Sequence, residues 1–214
     1  SKTLFLLRKK RLLGNYYFDI NIKKNIPHGS GLGGSSSNAA NLINFLKYKN
    51  FLKISDREKT KIGRKVGFDV PIFFNNKNCF LTGKDENILK LKKNLKLNLL
   101  IVYPNLICST KKIYKTNRKI SPNIKWNYQK MNSNKKLINF LIKENNDLEH
   151  AAVKLYPKIK SLINIISNQQ GCYFSRITGS GSACVGIFSN MKAANLAKKR
   201  IKSQFPKFWC VASK

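Results

Sequence analysis

A chain of 214 residues in which 42 Lys and Arg face 9 Asp and Glu carries a formal charge of +33, with a hydrophobic content of 42%. That length supports one large domain or two small ones, with a core that hides roughly 70% of the unfolded surface. The hydrophobic content excludes a disordered chain, and no apolar run approaches the ~20 residues of a membrane span.

The charge is that of a polyanion binder. It is carried mostly by Lys, however, in a chain that also over-uses Asn and Ile. These three residues have A/T-rich codons, so coding bias accounts for the charge without selection for binding. Nucleic-acid binders concentrate their cations on one face, whereas here Lys is spread along the chain. Cys79, Cys108, Cys172, Cys184 and Cys210 are odd in number, far apart and never in a C-x-x-C pair. They point to reduced thiols and a cytoplasmic location, and away from a disulfide framework or a zinc site. The opening Ser1-Lys2-Thr3-Leu4-Phe5-Leu6-Leu7-Arg8-Lys9-Lys10 places its charges after a short apolar run, the reverse of a secretory signal. Its Ser start suggests the inner part of a longer polypeptide.

Residues 4–13 have a roughly helical period that ends at Gly14-Asn15. Tyr16 to Lys24 alternates, with Phe18, Ile20 and Ile22 on one face, which predicts a half-buried antiparallel strand. Ala39, Leu42, Ile43 and Leu46 then fall at helical spacing behind a serine run that can cap the first turn. Ser55-Asp56-Arg57-Glu58 reads as a capping box opening a helix that stops at Gly67. Ile72-Phe73-Phe74 reads as a strand, and Leu97 to Tyr103 as a buried one. The Lys- and Asn-rich stretch between them, Asn75 to Asn98, is the expected boundary between an N-terminal lobe, 1–90, and a C-terminal lobe, 91–214.

In the second half, Asp147 is read as a cap and Pro157 as the first turn of the next helix. Cys172–Ile177 and Ala183–Phe188 read as strands around Gly179-Ser180-Gly181, followed by a helix from about Asn190 to Phe205 and a strand over 209–212. Helices mixed with alternating strands predict an α+β architecture of antiparallel sheets rather than a doubly wound one.

The chemistry is concentrated in Pro27-His28-Gly29-Ser30-Gly31-Leu32-Gly33-Gly34-Ser35-Ser36-Ser37-Asn38. Four glycines let the backbone approach a ligand closely, and the helix that follows offers unpaired N–H donors at its positive end. Such a loop suits phosphate, and its serine hydroxyls can donate to phosphate oxygens or help to hold Mg²⁺. Gly29, Gly31 and Gly34 satisfy G-x-G-x-x-G with Asp56 about 20 residues on, but the preceding segment alternates where a central parallel strand is nearly all apolar. The G-x-x-x-x-G-K-[ST] loop fails because no Lys follows the glycines. A plain glycine turn needs neither this many glycines nor the serines.

The remaining pattern, P-x-x-x-G-L-G-G-S-S-S-N-A-A, resembles the ATP loop of the GHMP small-molecule kinases. Three further stretches agree in order: Gly67-Phe68-Asp69-Val70-Pro71-Ile72-Phe73, then Asn146-Asp147-Leu148-Glu149 with Tyr156-Pro157, then Ile177 to Gly186. Together they resemble the branch that acts on a cytidine diphosphate conjugate of methylerythritol in non-mevalonate isoprenoid synthesis. The resemblance runs from about Leu4 to Lys214.

It implies a two-lobed fold of antiparallel sheets with helices: an N-terminal lobe like ribosomal protein S5 and a ferredoxin-like C-terminal lobe, with Mg²⁺-ATP in the cleft. It implies transfer of phosphate from ATP to the 2-hydroxyl of the small-molecule substrate. Pro27, His28, Gly29, Ser30, Gly31, Leu32, Gly33, Gly34, Ser35, Ser36 and Ser37 would wrap the triphosphate, and Asp69 would be the general base. Gly179, Ser180 and Gly181 would line the cleft beside the phosphates, and Thr110 falls where the family has a Thr near the substrate. The chemistry is sound, since phosphoryl transfer needs an in-line hydroxyl beside a carboxylate that can take its proton.

One departure stands out. Family members begin several dozen residues earlier, with a P-A-K-[IL]-N-L strand whose Lys sits beside the Asp, followed by an aromatic-His segment that helps to bind cytidine; neither is in these 214 residues. The resemblance thus implies a fragment of a longer polypeptide, a shortened chain completed by a partner, or a remnant that binds nucleotide without transfer. Two other readings compete: a relative acting on homoserine, mevalonate or a sugar, and a basic RNA-binding α+β lobe. The G-x-D-V-P and N-D-L-E segments oppose the first, and the lack of an aromatic stacking motif on a basic strand opposes the second.

Overall fold

A computed structural model describes residues 1–75, 77–82, 87–118, 121 and 131–214, so residues 76 and 83–86 of the expected boundary stretch lie outside the described residues. The chain forms two compact units, one of Ser1–Asn25 with Gly33–Lys90 and the other of Ile26–Leu32 with Leu91–Lys214.

The first unit contains α1 (Lys2–Lys9), α2 (Gly34–Tyr48), α3 (Asp56–Val66), a 3₁₀ turn at Val70–Phe74, and an antiparallel hairpin of β1 (Cys79–Thr82) and β2 (Asn87–Lys90). Leu4 and Leu7 of α1, Ala40, Ile43 and Leu46 of α2, Ile62 of α3, and Val70 and Phe74 share one core. The apolar positions of α2 stand three apart and so lie on one face of the helix. Ser55 opens α3 with a full capping box: its Oγ accepts from Glu58 N at 3.2 Å, and Glu58 Oε2 accepts from Ser55 N at 2.9 Å.

Three expectations are corrected in this unit. Tyr16–Lys24 is not a strand. Alternation marks two faces, but a strand also needs a ladder partner, and none of the described strands pairs with this segment. Phe18 packs edge-on against Phe51 with ring centres 5.4 Å apart, while Ile20 and Ile22 stay exposed. Ile72-Phe73-Phe74 is helical rather than extended, because Pro71 sits in the first turn and fixes a helix-compatible φ. The serines do not cap α2; Gly33, in the left-handed region at φ +68°, is the capping residue, and the serines form the first turn.

The second unit contains β3 (Asn98–Tyr103), α4 (Thr110–Thr116), α5 (Asn134–Lys143), α6 (Asp147–Leu155), α7 (Lys158–Ser167), β4 (Cys172–Ile177), β5 (Cys184–Phe188), α8 (Met191–Gln204) and β6 (Trp209–Ser213). Its four strands form an antiparallel sheet in the order β4-β5-β3-β6, with Ile101 opposite Val185 on one side and Val211 on the other. Strand, helices, two strands, helix, strand in that order is the ferredoxin-like arrangement. Leu100 and Val102 of β3 alternate into a core with Ile159, Leu162, Ile163 and Ile166 of α7 and Ala194, Ala197 and Ile201 of α8. Each fully buried Leu or Ile stabilises by roughly 1.5–3 kcal/mol. Gly186 lets α7 approach the sheet: a Cβ there would stand 2.5 Å from Ile166 Cγ2.

The cap of α6 is Asn146 rather than Asp147, which occupies the first turn. An amide caps as well as a carboxylate does, so the N-D pair left two candidates for one position. No helix among the described residues is long and apolar enough to cross a membrane.

Candidate functional site

The glycine loop changes unit midway, between Leu32 and Gly33. Its first half is held through its own backbone carbonyls. Tyr103 Oη donates to His28 O at 3.2 Å, Ala183 N to Ser30 O at 3.1 Å and Thr178 Oγ1 to Gly31 O at 3.4 Å. Ser30 is buried and His28 exposed. Gly31 lies at φ +76°, and a Cβ on it would meet Gly181 O at 2.7 Å and Thr178 O at 2.9 Å. No other residue fits this approach of two backbones.

The second half enters α2. Gly33 turns the chain at positive φ directly over the Phe73 ring, whose Cζ would stand 2.7 Å from an added Cβ. Gly34, Ser35 and Ser36 follow in the first turn, where helical geometry leaves backbone N–H groups without intrahelical partners; Ser37 N already donates to Gly33 O at 2.8 Å. With the positive end of a 15-residue helix behind them, these donors suit an anion. Ser35 is exposed, Ser36 and Ser37 are half-buried, and Ser37 Oγ accepts from Asn41 Nδ2 at 3.4 Å. Ser35 and Ser36 open onto a groove of about 700 Å³ that Gly67 also lines.

Asp69 precedes the 3₁₀ turn, exposed; its carbonyl accepts from Ile72 N at 3.2 Å, while its side chain makes no capping bond to the turn. Two features tie its position to α2: a Cβ on Gly67 would lie 3.8 Å from Ser36 Oγ, and Phe73 of the same turn supports Gly33. Asp69 and the serine turn are therefore fixed within one unit by Gly67, Val70 and Phe73.

Gly179, Ser180 and Gly181 form the tight connection between β4 and β5. Thr178 N donates to Ala183 O at 2.9 Å and Gly181 N to Thr178 O at 2.8 Å. Ser180 and Thr110 share a hydroxyl–hydroxyl hydrogen bond of 2.9 Å, so Thr110, at the start of α4, is brought to this turn together with the first half of the glycine loop. Ser182 Oγ donates to Leu106 O, which ties the turn to the segment before α4. Burial pushes the nearby Cys108 thiol up to about 11 and leaves it protonated at neutral pH, which is not the state of a nucleophile. Among the described residues no group of three or more His, Cys, Asp or Glu could hold a metal ion.

Sequence reasoning gave no role to Tyr103, Thr178 or Phe73, which hold the two halves of the loop. Tyr103 ends a buried strand and Phe73 sits in an apolar run, so both read as core. Only the tertiary position of the glycines reveals their second task.

Residues 2–77 match the GHMP kinases N terminal domain, and residues 123–207 match the GHMP kinases C terminal domain. The chain is 36% identical over 215 residues to the 4-diphosphocytidyl-2-C-methyl-D-erythritol kinase of Pelagibacter ubique, covering all of this chain and 75% of that protein. The chain belongs to the GHMP kinase family. Another relative carries that same kinase name: the protein of Wolbachia pipientis wMel is 33% identical over 196 residues, 89% of this chain and 65% of its own length. The GHMP fold is equally plain. A crystal structure of 4-(cytidine 5'-diphospho)-2C-methyl-D-erythritol kinase superposes with a TM-score of 0.70 at 24% identity over 89% of this chain and 68% of that one. The homoserine kinase of Cytophaga hutchinsonii gives 0.69 at 14% identity over 100% of this chain and 74% of that one. This GHMP kinase chain thus spans about two thirds to three quarters of the proteins it matches.

Proposed function

We propose that the polypeptide to which this chain belongs transfers the γ-phosphate of ATP to the 2-hydroxyl of 4-diphosphocytidyl-2-C-methyl-D-erythritol. The observation that carries this reading is the 36% identity to a kinase of that name over the whole of this chain. ATP is the donor that GHMP kinases use. The backbone N–H groups of Gly31, Gly33 and Gly34 and the hydroxyls of Ser35, Ser36 and Ser37 hold its phosphates, within the loop Pro27–Ser37.

Asp69 acts as the general base. As the 2-hydroxyl oxygen forms its bond to the γ-phosphorus, the proton passes to the Asp69 carboxylate and the bond to the β–γ bridging oxygen breaks, releasing ADP. The exposed, uncapped position of Asp69 leaves its oxygens available for that proton. The carbonyls of Thr178 and Gly181 form the wall against which Gly31 lies, and Thr110 is bonded to Ser180 of the same turn. Mg²⁺, entering with ATP, would neutralise phosphate charge, and the serine hydroxyls are the groups of α2 suited to help to hold it.

Turnover with the cytidine conjugate, set beside homoserine, mevalonate and galactose, tests the substrate. The reading requires ADP release with the cytidine conjugate and little with the others. Preference for another alcohol would move the chain to a different branch of the family.

A further inference from the structure

The N-D-L-E segment is one of the motifs that resembled the kinases, yet none of its residues belongs to the phosphate loop or the base. Asn146 spends its whole side chain on two elements. Its Oδ1 accepts from Leu148 N at 3.0 Å and so caps α6, while its Nδ2 donates to Ile177 O at 3.2 Å and Gly179 O at 2.8 Å. Glu149, one turn into the same helix, accepts from Ile177 N at 3.0 Å. The backbone of Ile177 is therefore gripped on both its N–H and its C=O by one helix end, and its side chain is buried in the core.

From there a continuous set of hydrogen bonds leads to the glycine loop. Thr178 Oγ1 reaches Gly31 O, and Ala183 N, paired through its own carbonyl with Thr178 N, reaches Ser30 O. Gly31 packs so close to Gly181 O and Thr178 O that a small shift of residues 178–181 must move it too.

We propose that Asn146 and Glu149 are positioning residues, which set the Thr178–Ala183 turn and, through it, the Pro27–Leu32 half of the phosphate loop. Asn is required at 146 because only an amide offers an acceptor to the helix and donors to two carbonyls at once. Aspartate would still cap α6 but would set a carboxylate oxygen against the carbonyls of Ile177 and Gly179. At 149 the bond to Ile177 N needs only an acceptor, and the carboxylate charge acts separately on the half-buried Arg176 guanidinium beside it.

The inference rests on the kinase reading only for its effect on ATP. The test uses the full polypeptide as wild type, Asn146→Asp, Glu149→Ala and Glu149→Gln, measuring amide hydrogen exchange over 27–32 and 177–183, ATP affinity by calorimetry, and Tm. Asn146→Asp and Glu149→Ala are expected to speed exchange in both segments and to weaken ATP by about tenfold each, with exchange in α2 and α8 unchanged. Glu149→Gln is expected to restore both readouts to within about twofold of wild type. Unchanged exchange in 27–32, or a Glu149→Gln protein as impaired as Glu149→Ala, overturns the proposal. Failure of the wild type to bind ATP overturns the kinase reading instead, and the exchange data still decide the positioning role.

Discussion

At Gly31 the left-handed φ and the 2.7 Å distance from an added Cβ to Gly181 O act together. Replacement by Ala strains the backbone by about 1–3 kcal/mol and pushes the loop off the turn that holds it. Gly31→Ala is expected to lower Tm and to weaken ATP binding together, as calorimetry and a thermal melt would show. Asp69 behaves differently, because it is exposed and its side chain makes no capping bond. Asp69→Asn is expected to keep Tm and ATP affinity while reducing kcat by about 10²–10⁴, the usual worth of a positioned base. A loss of ATP affinity without loss of kcat would assign Asp69 to binding.

Among the elements, the 3₁₀ turn after α3, rather than the entry to α3, positions Asp69, the proposed base. Ser55→Ala removes the cap of α3 and should lower stability by about 1 kcal/mol in a urea titration. Its effect on kcat should be small, because Phe73 and Val70, rather than the cap, fix the turn beside α2. Elements with strong local signals were legible in the sequence: the capping box, the apolar spacing of α2 and α7, and the buried strand β3. The strand read at 16–24 was not, because alternation reports two faces but not whether a partner exists. The 3₁₀ turn at 70–74 read as a strand because three apolar residues in a row fit either state, and Pro71 was the overlooked arbiter. The β1–β2 hairpin was hidden in Lys and Asn, which are poor strand formers. At the site, the motifs singled out the loop glycines and Asp69. Phe73 and Asn146 stood inside those motifs and Tyr103 outside them, yet none was given a role, because a core residue and a positioning residue look alike in sequence.

For the whole molecule, the +33 charge and the buried thiols set conditions more than mechanism. The proposed phosphate loop, Pro27–Ser37, contains no Lys or Arg, so the charge is not concentrated there. Retention on RNA should therefore fall away as salt rises toward physiological strength, with ATP affinity changing far less. Burial raises the thiols of Cys108 and Cys172 to about 11, and that of Cys184 upward as well. Above the ordinary thiol value of about 9 the unfolded chain loses protons that the folded chain keeps. That contribution is full below pH ~9 and is lost as pH rises through about 11, so under reducing conditions the urea midpoint should fall across this range. Cys108→Ala should flatten the fall.

In the proposed reaction Asp69 activates a hydroxyl for attack on a phosphate held by the glycine loop. The most direct measurement follows the γ-phosphate of labelled ATP onto the cytidine conjugate, using the full polypeptide with Asp and with Asn at position 69. Label is expected on the 2-hydroxyl with the wild type, and to be nearly absent with Asp69→Asn at unchanged ATP affinity. Equal transfer by both proteins, or no transfer by the wild type although it binds ATP, would contradict it.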